Sequence, residues 1–260
     1  MHHFVNSILV AALSILVYMT LCFIVSVILK RNDIADIAWG LGFVITSLVV
    51  LVIRHNATLT TISAFILVLI WGSRLSLHIG LRNIKKPEDF RYKTWRDTWG
   101  KWFYLRSFFQ IYILQGFLML LILLPVLAIL SDKSSKNLAI LVIGVLVWLF
   151  GFCFESIGDR QLVSFLKDKN RTATIMQKGL WKYTRHPNYF GEITQWWGLG
   201  LIAISVYYGW IGLLGPITIT FLITKVSGIP LLEKNYANNP EYIKYKLKTS
   251  ILIPLPNKKS

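Results

Sequence analysis

Residues Gly179 to Glu192 bring together a guanidinium, an imidazole, a carboxamide, two phenols and a carboxylate, as Tyr183, Arg185, His186, Asn188, Tyr189 and Glu192. Pro187 pushes His186 into an extended conformation and suits the first turn of a helix. Arg185, His186 and the first free backbone amides therefore converge at a helix N-terminus, which attracts phosphate or carboxylate. Beyond it Tyr189, Glu192 and Gln195 recur on one face and line whatever space that end opens into. An interfacial anchor of aromatic and basic residues is the plainer use of the same segment.

Other ionisable groups fall inside apolar runs, where charge is costly and marks a functional hypothesis. Trp71, Arg74 and His78 share a helix face, and Arg82 and Asn83 continue it. An ion pair of Arg74 with Asp36 or Glu155 is as reasonable as a ligand contact. Asp33 stands where it would cap a helix, whereas Asp36 is a turn deeper and better placed for chemistry. Glu155 and Asp159 are four apart, with Arg160 and Lys182 as structural partners for Asp159. Glu233, Tyr236, Tyr242 and Tyr245 belong to a polar C-terminal segment that either closes over a ligand or packs on a membrane surface.

These groups need scaffolding, and the chain is built to supply it in a bilayer. Of 260 residues, 55% are hydrophobic and only 15% charged, with mean hydropathy +0.56, too apolar for a soluble domain. The spacing predicts an all-α, multi-pass membrane domain over 1–260, with spans near 4–29, 34–53, 59–80, 107–130, 138–157, 192–208 and 210–226. The last two are short and adjacent, so six or seven crossings are expected. Lys and Arg number 24 in the loops 30–31, 81–106 and 158–191 and the tail 225–260, against 3 at Arg54, Lys133 and Lys136. That asymmetry predicts an outside N-terminus, with loops 81–106 and 158–191 and the tail 227–260 cytoplasmic. The net charge of +16 thus becomes topology rather than nucleic-acid binding. No GxGxxG, Walker loop, HExxH, histidine box or GxSxG occurs, and the two cysteines form no CxxC. No metal site is expected.

With Asp36 to Gly40, Trp71 to Leu75 and Gly228 to Lys234 as supporting matches, the segment 179–192 resembles uncharacterised bacterial membrane proteins grouped with the steroid 5-alpha-reductases. Isoprenylcysteine carboxyl methyltransferases carry a stretch similar to Arg185 to Tyr189 that serves S-adenosylmethionine. The resemblance implies a seven-helix bundle in the bacterial inner membrane that holds NADPH and reduces a C=C bond conjugated to a carbonyl in a lipid or steroid-like substrate. It implies cofactor roles for Arg74, Asp159, Asn188, Tyr189 and Glu192, with Arg82 and Asn83 close to a phosphate-binding position. Lys167 stands one step late for an expected basic residue. The family's catalytic tyrosine falls at Trp71, which cannot act as an acid, and its glutamate has Asp36 as the nearest counterpart. Asp36 and His78 are therefore the expected acid or its relay. Under the methyltransferase alternative, Arg185, His186 and Glu233 would grip the methionine group. A non-catalytic lipid-binding relative is the third reading, and the oligomeric state is not legible.

Overall fold

The computed structural model describes residues 2–83, 86–88, 90–132 and 137–257, so Lys85, Lys133, Lys136, Lys258 and Lys259 of the loop count lie outside the described residues. In chain order come α1 (His2–Leu29), α2 (Ile34–Arg54), α3 (Leu59–Asn83) and α4 (Phe90–Trp99). A 3-10 turn (Gly100–Trp102), α5 (Phe103–Ser107) and a π-helical turn (Phe108–Ile113) lead into α6 (Leu114–Ser131). After α7 (Leu138–Lys167) and a second 3-10 turn (Gly179–Lys182) come α8 (Pro187–Ile204), α9 (Gly209–Gly212) and α10 (Leu214–Phe221). A π-helical turn (Leu222–Val226), α11 (Ile229–Asn235) and α12 (Pro240–Lys248) complete the chain.

Among the described residues six helical stretches are long and apolar enough to cross a membrane: His2–Leu29, Ile34–Arg54, Leu59–Asn83, Tyr92–Ser131, Leu138–Lys167 and Gly209–Asn235. The chain is an all-α, multi-pass membrane protein. Helix α8 is not among the six. Its 18 residues rise about 27 Å, close to the hydrocarbon thickness. Its first half, however, carries Glu192, Thr194 and Gln195. Helix α7 runs past the expected membrane edge at 157 to Lys167, because no proline or paired glycine interrupts it before Asp168. Asp159 is consequently fixed on a helix instead of lying in a loop.

The residues form two compact units. The first takes in Met1–Leu138 and Ile202–Gly215. Within it α2 packs against α1, α3 and α6. The α2–α3 contact is backbone to backbone: a Cβ on Gly40 would strike the Gly72 carbonyl, and one on Gly72 would strike the Gly40 carbonyl. Small residues permit that approach where lipid offers no hydrophobic drive for association. Where α1 meets α2, Asn32 donates to Ser107 Oγ at 2.9 Å, and its amide donates to Glu88 Oε1 at 2.7 Å. Asp33 does not cap α2. It pairs with Arg31, at 3.0 Å to Nε and 2.6 Å to Nη2, because a buried carboxylate needs a cation more than a helix end needs an acceptor.

The second unit takes in Ala139–Leu201 and Pro216–Ser260. Here α7 and α8 approach closely, since a Cβ on Gly191 would strike the Gly151 carbonyl and the Glu155 amide. The tail folds back on the segment before α8. The Arg185 amide donates to Ser250 O at 2.9 Å and the Leu255 amide to Tyr183 O at 3.0 Å, with a parallel bridge between Thr184 and Ser250.

Candidate functional site

Local structure first fixes the approach to α8. Gly179 takes a positive φ of 61° in the turn beside Gln161, whose Oε1 accepts from the Leu180 amide at 3.0 Å. Trp181 Nε1 donates to Gly158 O at 3.0 Å, which anchors the 3-10 turn on α7. The Tyr245 hydroxyl donates to Trp181 O and, at 3.3 Å, to Thr184 O. Burial pushes that phenol well above its ordinary pKa, so it stays a donor. His186 is then delivered at the start of α8, with its amide on Thr184 Oγ1 at 3.3 Å and its ring stacked on Tyr189 at 5.7 Å.

Four side chains close around one carboxylate. Arg185 gives Nε to Glu233 Oε1 at 2.9 Å and Nη2 to the same oxygen at 2.8 Å. His186 Nε2 lies 3.4 Å from Glu233 Oε1, and Lys246 Nζ 3.1 Å from Oε2. Tyr242 is buried beside them, its phenol raised first by burial and then by the Glu233 charge. Arg185 Nη1 donates to the carbonyls of Lys246 at 3.1 Å and Thr249 at 2.8 Å, so the guanidinium also caps the C-terminal end of α12. Arg185 and His186 are 6% and 5% exposed. The Arg185 donors are thus largely committed within the chain, and its work in the site is to hold tail, α11 and α8 in register.

Asn188, Tyr189 and Glu192 sit half-buried on the first turns of α8. Asp159 is buried on α7, while Lys167 and Tyr183 are exposed. Below them Gln195 Nε2 donates to Glu155 Oε2 at 2.5 Å, both side chains being nearly inaccessible. In this unit the structure brings together Arg185, His186 and Glu233 as one cluster with Tyr242 of the C-terminal segment, and adds Lys246 and Thr249, which the sequence did not single out. No local signal marks Lys246: it is one of three alternating lysines, and only its turn toward Glu233 distinguishes it.

The first unit holds Asp36, Arg74, His78, Arg82 and Asn83. Tyr92, from α4, donates its hydroxyl to Asp36 Oδ1 at 2.9 Å and is itself buried. Sequence reasoning missed this phenol, which lies 56 positions from Asp36 in an amphipathic stretch. Trp71 is core, packed edge-on against Phe43 at 5.3 Å. Arg82 is exposed and donates Nε to Asn83 Oδ1 at 3.2 Å, while Arg74 and His78 are half-buried on the same helix. Among the described residues no three His, Cys, Asp or Glu side chains gather as a metal cluster.

One contact gives the tail a pH dependence. The Thr174 hydroxyl, with its amide, holds the Glu241 carboxyl below the ordinary glutamate range, and Gln177 Nε2 adds a bond at 2.9 Å. A carboxylate with a depressed folded pKa stabilises when ionised, so the benefit is present above the ordinary value and disappears as pH falls through the folded one. Amide protection at Thr174, corrected for intrinsic exchange, should fall on acidification through that range. Glu241→Gln should start low and change little.

A family model described as "Protein of unknown function (DUF1295)" matches residues 22–249, most of the chain. No curated protein and no solved structure matches it.

Proposed function

Since the chain belongs to this family of unknown function (DUF1295), we propose from its own residues that it is a membrane-embedded, NADPH-dependent reductase related to the steroid 5-alpha-reductases. It acts on a C=C bond conjugated to a carbonyl in a hydrophobic substrate. The observation that carries the reading is the buried cluster of Arg185, His186, Glu233 and Lys246 that fixes the N-terminus of α8. A rigid helix start that carries Asn188 and Tyr189 on its first turn is suited to a pyrophosphate. The donor set fits a polyanionic dinucleotide through amides, the Asn188 carboxamide and the Tyr189 phenol. Arg185 contributes by positioning them, not by direct contact. Glu192 and Asp159 are acceptors suited to ribose hydroxyls.

When bound, NADPH supplies the hydride that adds to the β-carbon of the enone. The residues assigned to the proton side are Asp36, His78 and Tyr92, whose phenol already donates to Asp36. An acid there polarises the carbonyl oxygen, and a proton reaches the α-carbon to complete the reduction. The protein resides in the bacterial inner membrane with its N-terminus outside and its tail cytoplasmic, supported by the partition of Lys and Arg.

The test is NADPH consumption by the purified protein over a panel of enone lipids and steroids. Turnover is expected with at least one of them, and Asn188→Ala or Glu192→Ala should weaken NADPH binding by about tenfold each. Absence of both NADPH binding and hydride transfer would sink the reading.

A further inference from the structure

At 100° per residue, α12 has three separate faces. Tyr242, Tyr245 and Thr249 are buried against the second unit. Ile243 and Leu247 lie on the opposite side, 48% and 72% exposed. Lys244 and Lys248 flank this apolar stripe on one side, and Lys246, held by Glu233, flanks it on the other. In the tail, Ile251, Ile253 and Leu255 alternate along the chain and are all exposed. Exposed isoleucine and leucine bordered by lysine is the pattern of a segment lying in a membrane interface, with cations at headgroup level.

Beside the stripe is a cavity of about 260 Å³, lined by Lys244, Lys248, Gln177, Asn257 and Glu241 among others. The Glu241 oxygens are taken up by Thr174 and Gln177. Among the described residues neither Lys244 nor Lys248 forms a salt bridge, so both ammonium groups are left to an external anion. Position along the chain names the source of that anion. The last apolar stretch ends at Asn235 and α12 starts at Pro240, a separation the chain can span by at most about 18 Å. Helix α12 is therefore tethered at the membrane surface whatever its orientation.

We propose that α12 and the tail to Asn257 form an interfacial anchor for anionic phospholipid. Ile243, Leu247, Ile251, Ile253 and Leu255 enter the headgroup–acyl boundary, and Lys244 and Lys248 bracket a lipid phosphate in the cavity. The shared chemistry is a phosphate anion, and the apolar stripe beside it selects a lipid over free phosphate. Each lysine near an anionic surface favours binding about fivefold, so the two together contribute on the order of thirtyfold. The anchor does not depend on the reductase reading.

The experiment is hydrogen exchange of the full chain in nanodiscs of phosphatidylcholine alone or with phosphatidylglycerol added. Exchange over residues 240–255 is expected to be on the order of tenfold slower in the anionic discs at low salt. That difference should vanish in Lys244→Gln/Lys248→Gln, which keeps wild-type exchange in phosphatidylcholine. High salt should erase it in the wild-type protein without any substitution. Equal exchange in the two kinds of disc would overturn the proposal. So would equal slowing by inorganic phosphate added to phosphatidylcholine discs, which would assign the cavity to the free ion.

Discussion

Glu233→Ala is expected to lower stability by about 3–5 kcal/mol, because it strips the carboxylate from the buried Arg185 guanidinium, and with it the partner of Lys246 and the His186 ring. Arg185 would keep its bonds to the Lys246 and Thr249 carbonyls but lose the charge that justifies burying a guanidinium. The damage should not be confined to position 233. The tail is hung on the segment before α8 through Arg185 and its amide, so residues 249–255 should lose exchange protection together with the His186 turn. Glu233→Gln keeps an acceptor for Arg185 and should fall between wild type and Ala. Thermal unfolding in detergent gives the ranking, and exchange locates the loosened segment. A loss confined to α11 would show that the cluster does not organise the start of α8.

The second large effect is expected in the first unit, at the α2–α3 contact. Gly40→Ala places a methyl against the Gly72 carbonyl, a backbone atom that cannot swing away, so the helices must separate. Overpacking of this kind costs about 1–3 kcal/mol. Gly80→Ala, on the same helix as Gly72, is the control. Its methyl meets only Ile37 Cγ2 at 3.6 Å, an ordinary contact, and it gains up to about 1 kcal/mol in helix propensity. Opposite signs at the two positions, measured as midpoints of thermal unfolding, are the expected outcome. Similar changes at both would mean that the close approach does not hold α2 to α3.

Hydropathy reads the spans well because a bilayer demands long apolar helices with internally satisfied backbones. It reads α7 and α8 less well. Helix α7 continues past the membrane edge through a stretch where Asp159, Arg160, Gln161 and Lys167 dilute the hydropathy, and α8 starts five residues before the expected 192, at the proline. The convergence of Arg185 and His186 at a helix start was legible from Pro187 alone, since proline restricts both its neighbour and itself. Glu233 is grouped with them only through the resemblance to methyltransferases, as a fellow ligand contact and not as their ion-pair partner: it lies 48 positions from Arg185, and nothing local says that its carboxylate turns to the guanidinium. The same holds for Tyr92 and Asp36. The role of Arg185 also shifts for a physical reason. From spacing it reads as a ligand donor, yet the tail supplies two carbonyls and α11 a carboxylate that occupy it first.

The reductase reading is tested most directly by thermal unfolding of the purified protein with NADPH, compared with S-adenosylmethionine and its demethylated product. A ligand that binds only the folded state at one hundred times its dissociation constant stabilises by about 2.7 kcal/mol, a shift of several degrees. The expected result is that NADPH raises the midpoint in wild type and raises it by about half as much in Asn188→Ala, while S-adenosylmethionine leaves both unchanged. Stabilisation by S-adenosylmethionine alone would contradict the reading and turn the α8 cluster into a methyl-donor site.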